Sequence, residues 1–140
     1  MKFKVIAVGK IKKNWIEVGI QEYLKRLPQL EILEIKDGGK EKELSKILSL
    51  VKKNDKLIFL SETGKSLTSV EFASFIKQEL LQPLVFVIGG PEGLSEQIND
   101  HAYKVLSLSK MTFPHEMARL FLVEQLYRAH TIIQNKNYHK

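Results

Sequence analysis

Residues 83–94 read PLVFVIGGPEGL, and this stretch decides the fold. From Leu84 to Ile88 every side chain is large and apolar, so both faces of the strand it forms must be covered. A strand of that kind belongs in the middle of a parallel sheet with helices on either side. It runs into Gly89, Gly90, Pro91 and Gly93, a turn in which backbone can come close to a ligand. The glycine spacing matches neither the dinucleotide fingerprint nor the P-loop, so the turn is not read as a phosphate cradle.

Outward from this strand, the chain alternates strand and helix, which implies an α/β fold with a mostly parallel sheet and helices on both faces. FKVIAVG is the first strand. A helix follows, with Asn14 as its cap, Glu17 as the reciprocal member of a capping box and Pro28 as its stop. LEILEI, KLIFL and YKVLSLS are further strands, with KDGGKEK a turn and TGKS at 63–66 the connection after KLIFL. Leu44, Ile47, Leu48 and Val51 stripe a second helix. Thr68 and Glu71 open a third with another capping box, and Ser95 to about His101 make a short one. The last helix runs to about Gln134. Ala118, Leu122, Leu126, Ala129 and Ile133 lie on one of its faces, and Met117, Leu120, Phe121, Val123 and Tyr127 on others. A helix apolar on two sides needs two covers, the sheet and, most simply, a second copy of the chain. Glu124 and Arg128 are spaced as an ion pair.

At 140 residues the chain is one domain, 1–140, large enough to bury about two-thirds of its unfolded surface. With 44% hydrophobic and 27% charged residues, and no cysteine, it reads as a globular protein without disulfides or thiolate metal sites. No apolar run reaches the roughly 20 residues of a membrane span, and a cytoplasmic location is expected. The net charge of +6 is compatible with a polyanionic partner and equally with simple solubility, because the lysines are dispersed.

Familiar motifs fail residue by residue. TGKS lacks the upstream P-loop glycine, since Phe59 stands there. HEMAR at 115–119 lacks the second zinc-binding histidine, since Arg119 stands there, and no metal site is expected. What remains is three unusual loops at strand ends: FLSETGK, IGGPEGLS and LSLSKMTFPHE. Ligands of open α/β sheets bind outside the carboxyl ends of strands, and Leu60, Leu108, Met111 and Phe113 offer apolar walls there. The terminal residues Tyr138, His139 and Lys140 combine a stacking ring, an imidazole and a cation, suited to a nucleobase and a phosphate. His101 and His130 read as surface or structural residues, and Trp15 and Tyr23 as partly buried packing.

VIGGPEGL, then LSLSKMTFPHEMARLFLVEQLYRA, then a terminal YHK together resemble the ribosomal RNA large subunit methyltransferase H family, of the SPOUT class. The resemblance extends back to IAVGK in the first strand. It implies a C-terminal trefoil knot and a bound S-adenosylmethionine touching Leu60, Gly89, Leu108, Ser109, Lys110, Met111, Thr112 and Phe113. S-adenosylhomocysteine would be the product, and no metal is required. It further implies a homodimer that methylates N3 of a pseudouridine in the helix 69 loop of 23S rRNA on the assembled ribosome. Tyr138 and His139 are then catalytic candidates, and Tyr138, His139, Lys140 and Arg128 candidate RNA contacts. Two rivals stand beside this reading: a knotted methyltransferase for another RNA position, and an RNA-binding module without activity.

Overall fold

The computed structural model describes residues 2–140. Its strands are β1 (Phe3–Val8), β2 (Leu30–Ile35), β3 (Lys56–Ser66), β4 (Leu84–Ile88) and β5 (Lys104–Ser107). They form one sheet in the order β2-β1-β4-β3-β5, with every neighbouring pair parallel. As its composition requires, β4 is central and buried along its whole length. Alternate residues of β1 and β4 point to opposite faces. Val5, Ala7, Phe86 and Ile88 pack under α1 (Asn14–Arg26), α3 (Ser69–Gln78) and α4 (His115–Ile133). Ile6, Val8, Val85 and Val87 pack under α2 (Lys40–Leu50) and the 3-10 turn Glu96–Asp100. Phe59 and Phe86 are fully buried, and each such side chain contributes about 1.5–3 kcal/mol by leaving water.

Helix starts show where local reading succeeds and where it fails. Thr68 and Glu71 form the expected capping box, with the Thr68 N–H donating to Glu71 Oε1 at 2.8 Å and the Glu71 N–H to Thr68 Oγ1 at 3.1 Å. Asn14 does not cap α1. Lys13 occupies the cap position without a side-chain bond, and Glu17 bonds Gln21 instead. The loop before α1 is held from a distance: Glu116 Oε1, on α4, accepts from the N–H groups of Lys12 (2.9 Å) and Lys13 (3.1 Å). Trp15 is not packed away as its aromatic character led us to expect. It is 59% exposed, whereas Tyr23 is half-buried.

The largest departure lies in β3, which does not end at Leu60. Leu60 and Lys65 both pair with Leu106, so Ser61 to Gly64 are extra residues within the strand. The segment read as a simple connection therefore returns to the sheet and runs beside β5. Gly64 makes this possible. A Cβ on it would lie 2.6 Å from the carbonyl carbon of Leu106 and 2.8 Å from its nitrogen, closer than real contacts allow.

The second apolar face of α4 is partly covered within the chain. Leu120 lies against Gly19 of α1, Tyr127 packs on Tyr23 with ring centroids 5.7 Å apart, and Ser69 of α3 donates to Gln125 at 2.8 Å. Met117, Leu120, Phe121 and Tyr127 remain half-buried. Among the described residues no helix is long and apolar enough to cross a membrane.

Replacing Gly64 with alanine is expected to destabilise the protein by at least about 1–3 kcal/mol, because backbone rather than a flexible side chain blocks the new methyl group. Urea unfolding measures this; an unchanged midpoint would contradict the close crossing.

Candidate functional site

The three strand-end loops meet. Ser61 to Thr63, thrown out of β3, face the turn after β4 and the run after β5 around a crevice of about 730 Å³. That volume is in the range of small-molecule sites. Leu60, Gly89, Leu108, Ser109, Met111, Thr112 and Phe113 all line it, together with Ile88, Leu94 and His115. Lys110 is exposed and not among the lining residues.

Each loop is braced. In the turn after β4, the Gly93 N–H donates to the Gly90 carbonyl at 2.9 Å. A Cβ on Gly89 would stand 2.9 Å from the Gly93 carbonyl oxygen, so this glycine is demanded first by the turn folding back on itself. After β5, Ser107 Oγ donates to the Ser109 carbonyl (2.8 Å) and Met111 N–H to Ser109 Oγ (2.9 Å). Thr112 Oγ1 donates to Glu62 Oε2 at 2.9 Å, tying the β5 run to the β3 excursion.

Charge decides what can occupy this space. The lining contains Glu62 and Glu92 and no lysine or arginine. Phosphate groups would meet carboxylates without a compensating cation, whereas a ligand that is neutral at one end and cationic at the other is favoured. The glycine turn and apolar walls leave room for a flat ring system. Sequence reasoning missed Glu62 because its position depends on the β3 excursion, which no local pattern announces, and Glu92 because the turn after β4 is read through its glycines and apolar residues.

Directly behind the β5 run, the first turn of α4 is bolted to the opposite end of the sheet sequence. Glu116 holds the loop before α1, as described. Arg119, 2% exposed, pairs with Glu34 of β2 and donates to the Gly9 carbonyl at 3.0 Å. The HEMAR segment, rejected as a metal motif, is therefore an anchor whose Glu and Arg share a face three residues apart. The hydrogen bond from Lys13 N–H, followed by that from Lys12, holds the Glu116 carboxyl below its ordinary value.

The C-terminal residues lie elsewhere in the fold. Tyr138 packs edge-on against Tyr127, centroids 4.8 Å apart, and its hydroxyl donates to Glu124 Oε2 at 2.9 Å. Burial, then the bonds to Tyr23 and Glu124, push the Tyr138 phenol above its ordinary range, so it stays a protonated donor. Arg128 grips Glu124 through Nε (3.2 Å) and Nη2 (2.8 Å), as its spacing predicted. Arg128 Nη1 donates to His139 Nδ1 at 3.0 Å, which leaves the His139 proton on Nε2. None of Arg128, Tyr138, His139 and Lys140 lines the crevice of its own chain. Glu124 does border a second, apolar cleft of about 450 Å³, which shares Leu60, Leu108 and Phe113 with the first. His101 is exposed, and His130 is half-buried beside Gln29.

The fold is of the parallel α/β class, with a carboxyl-edge crevice built from an excursion of one strand and the loops of the next two. Comparison with known proteins makes it particular. The family described as "Predicted SPOUT methyltransferase" matches residues 1–139. The chain is 52% identical over 138 residues to ribosomal RNA large subunit methyltransferase H of Prochlorococcus marinus (strain NATL2A), covering 99% of this chain and 95% of that one. It is 47% identical over 137 residues to the protein of the same name from Synechococcus sp. (strain CC9902), covering 98% and 95%. The chain belongs to the SPOUT methyltransferase family, whose α/β fold is knotted.

Replacing Glu116 with glutamine is expected to cost about 2 kcal/mol at pH 7, since two backbone N–H groups lose a charged acceptor. Because folding lowers this carboxyl's pKa, its contribution is complete above the unfolded value of about 4.3 and fades as pH falls through the folded one. Urea unfolding at pH 7 and pH 3 should show the gap between wild type and Glu116→Gln closing in acid; a gap independent of pH would contradict it.

Proposed function

We propose that this protein is an S-adenosylmethionine-dependent methyltransferase acting on N3 of a pseudouridine in the helix 69 loop of 23S rRNA in the assembled ribosome. The observation that carries the cofactor assignment is the crevice lined by Glu62 and Glu92 with no lysine or arginine. A sulfonium is favoured there and a nucleotide triphosphate is not. The rRNA assignment rests on relatives named for large-subunit rRNA methylation that match this chain nearly end to end. A cytoplasmic location follows from such a substrate.

The backbone of Gly89 and of Leu108 to Phe113 would hold the adenosyl end against Leu60, and Glu62 the charged end. When bound, the cofactor supplies an already activated methyl carbon. The protein's own tasks are alignment of the nucleobase and removal of the imide proton, because the lone pair of N3 must be free to attack. Alignment alone supplies on the order of 7 kcal/mol or more in favourable cases.

Tyr138, whose one hydroxyl hydrogen is given to Glu124, would offer its ring, or its hydroxyl as an acceptor. His139 is the candidate base, and taking a proton at Nδ1 requires it to leave Arg128. Arg128 and Lys140 then hold phosphate. A homodimer brings these groups to a crevice that the tail of the same chain does not line. The apolar cleft beside Glu124 gives the second chain a surface adjoining the crevice.

Assembled ribosomes from a strain lacking the activity, incubated with the protein and S-adenosylmethionine, should gain one methyl group at that pseudouridine by mass-spectrometric mapping. A methyl group on transfer RNA alone, or none, would overturn the assignment. His139→Ala should lower the rate roughly a hundredfold or more, as loss of a general base does, with cofactor affinity unchanged by calorimetry. Collapse of cofactor affinity would instead put the tail in the cofactor pocket.

A further inference from the structure

The chain has one tryptophan, and it is on the surface. Trp15 stands in the first turn of α1, 59% exposed, directly after Lys10, Lys12 and Lys13, which are exposed as well. Asn14 between them makes no capping bond. No acidic residue occurs before Glu17 in the sequence. The carboxylates nearest this loop are engaged: Glu17 by Gln21, Glu34 by Arg119, and Glu116 by the N–H groups of Lys12 and Lys13. None of the three lysines forms an ion pair with another described residue.

The loop is also fixed in place beside the crevice. Glu116 clamps it to the first turn of α4, and the preceding residue, His115, lines the crevice. A Cβ on Gly9, at the start of the loop, would lie 4.0 Å from the ring nitrogen Nε2 of that same His115. An exposed aromatic ring and three cations thus belong to a loop whose backbone is held beside His115 of the crevice wall.

Resting on the rRNA reading above, we propose that the loop between β1 and α1 is an RNA-docking platform, on which Trp15 stacks an unpaired base and Lys10, Lys12 and Lys13 hold the flanking phosphates. Aromatic rings with neighbouring cations are what single-stranded RNA requires, because every base offers a face and every linkage a charge. Val18, one turn further on and 53% exposed, extends the apolar surface beside the ring. A second copy of this chain is the other conceivable cover. A two-fold contact through this loop would place like-charged lysines opposite one another, which opposes it.

Because Trp15 is the sole tryptophan, its emission reports the event directly. Titration with a 12-nucleotide single-stranded RNA should quench it. Emission that ignores RNA, or that shifts with protein concentration alone, would overturn the proposal and assign the face to solvent or to a second copy. With the same RNA carrying a fluorescent label, Trp15→Ala should weaken binding at least about five-fold, and Trp15→Phe should restore most of it. Lys12→Gln with Lys13→Gln should reduce the slope of log affinity against log salt by about 1.4. On ribosomes, Trp15→Ala should raise KM with little change in kcat, and should leave S-adenosylmethionine affinity intact. If the wild type does not methylate ribosomes, the underlying reading fails. If it does and Trp15→Ala matches it in KM, this proposal alone fails.

Discussion

The approach of Gly64 to the backbone of Leu106 governs the rest of the molecule. Two chain segments can run this close only where one of them has no side chain. Because they do, β3 rejoins the sheet after a four-residue excursion, with Leu60 and Lys65 sharing one partner in β5. The excursion carries Ser61, Glu62 and Thr63 into the crevice. Its return holds β5 at the outer side of β3, and so aims the Leu108 to Phe113 run across at the glycine turn after β4. One missing Cβ thereby bears on two of the three walls, while the turn after β4 is braced by its own Gly93–Gly90 hydrogen bond.

Around that geometry the charges are divided. The crevice has apolar walls and two exposed carboxylates, Glu62 and Glu92, while the lysines lie outside it. Such a separation suits the proposed pairing of a cationic donor with a polyanionic acceptor, since each would be repelled by the other's environment. The anchors between the two regions are themselves buried charges with fixed partners. Glu116 and Arg119 tie the first turn of α4 to the loop before α1 and to β2.

Much of this was legible in the residues, for physical reasons. The apolar run Leu84 to Ile88 can only be central, and Thr68 with Glu71 can satisfy a helix end without outside help. The three strand-end loops were recognisable by their glycines and apolar residues, and they do converge. What stayed hidden depends on distant partners. Asn14 has the chemistry of a cap, yet Glu116, more than a hundred residues away, takes the neighbouring N–H groups. TGKS looks like a turn because nothing local reveals that Leu106 will lie against Gly64. The doubly apolar α4 is flanked by α1 and α3, which leave Met117, Leu120, Phe121 and Tyr127 half-buried. Residue type alone suggests partly buried packing for Trp15, and the fold leaves it 59% exposed.

The central claim is that the crevice takes an adenosyl-sulfonium molecule and refuses a nucleotide polyphosphate of similar size. Calorimetric titration of the native protein with S-adenosylmethionine and, separately, with ATP tests this most directly. Saturable binding of S-adenosylmethionine at one site per chain, with no saturable heat from ATP, is the predicted result. Binding of ATP that S-adenosylmethionine fails to displace, or no binding of S-adenosylmethionine by folded protein, would contradict it.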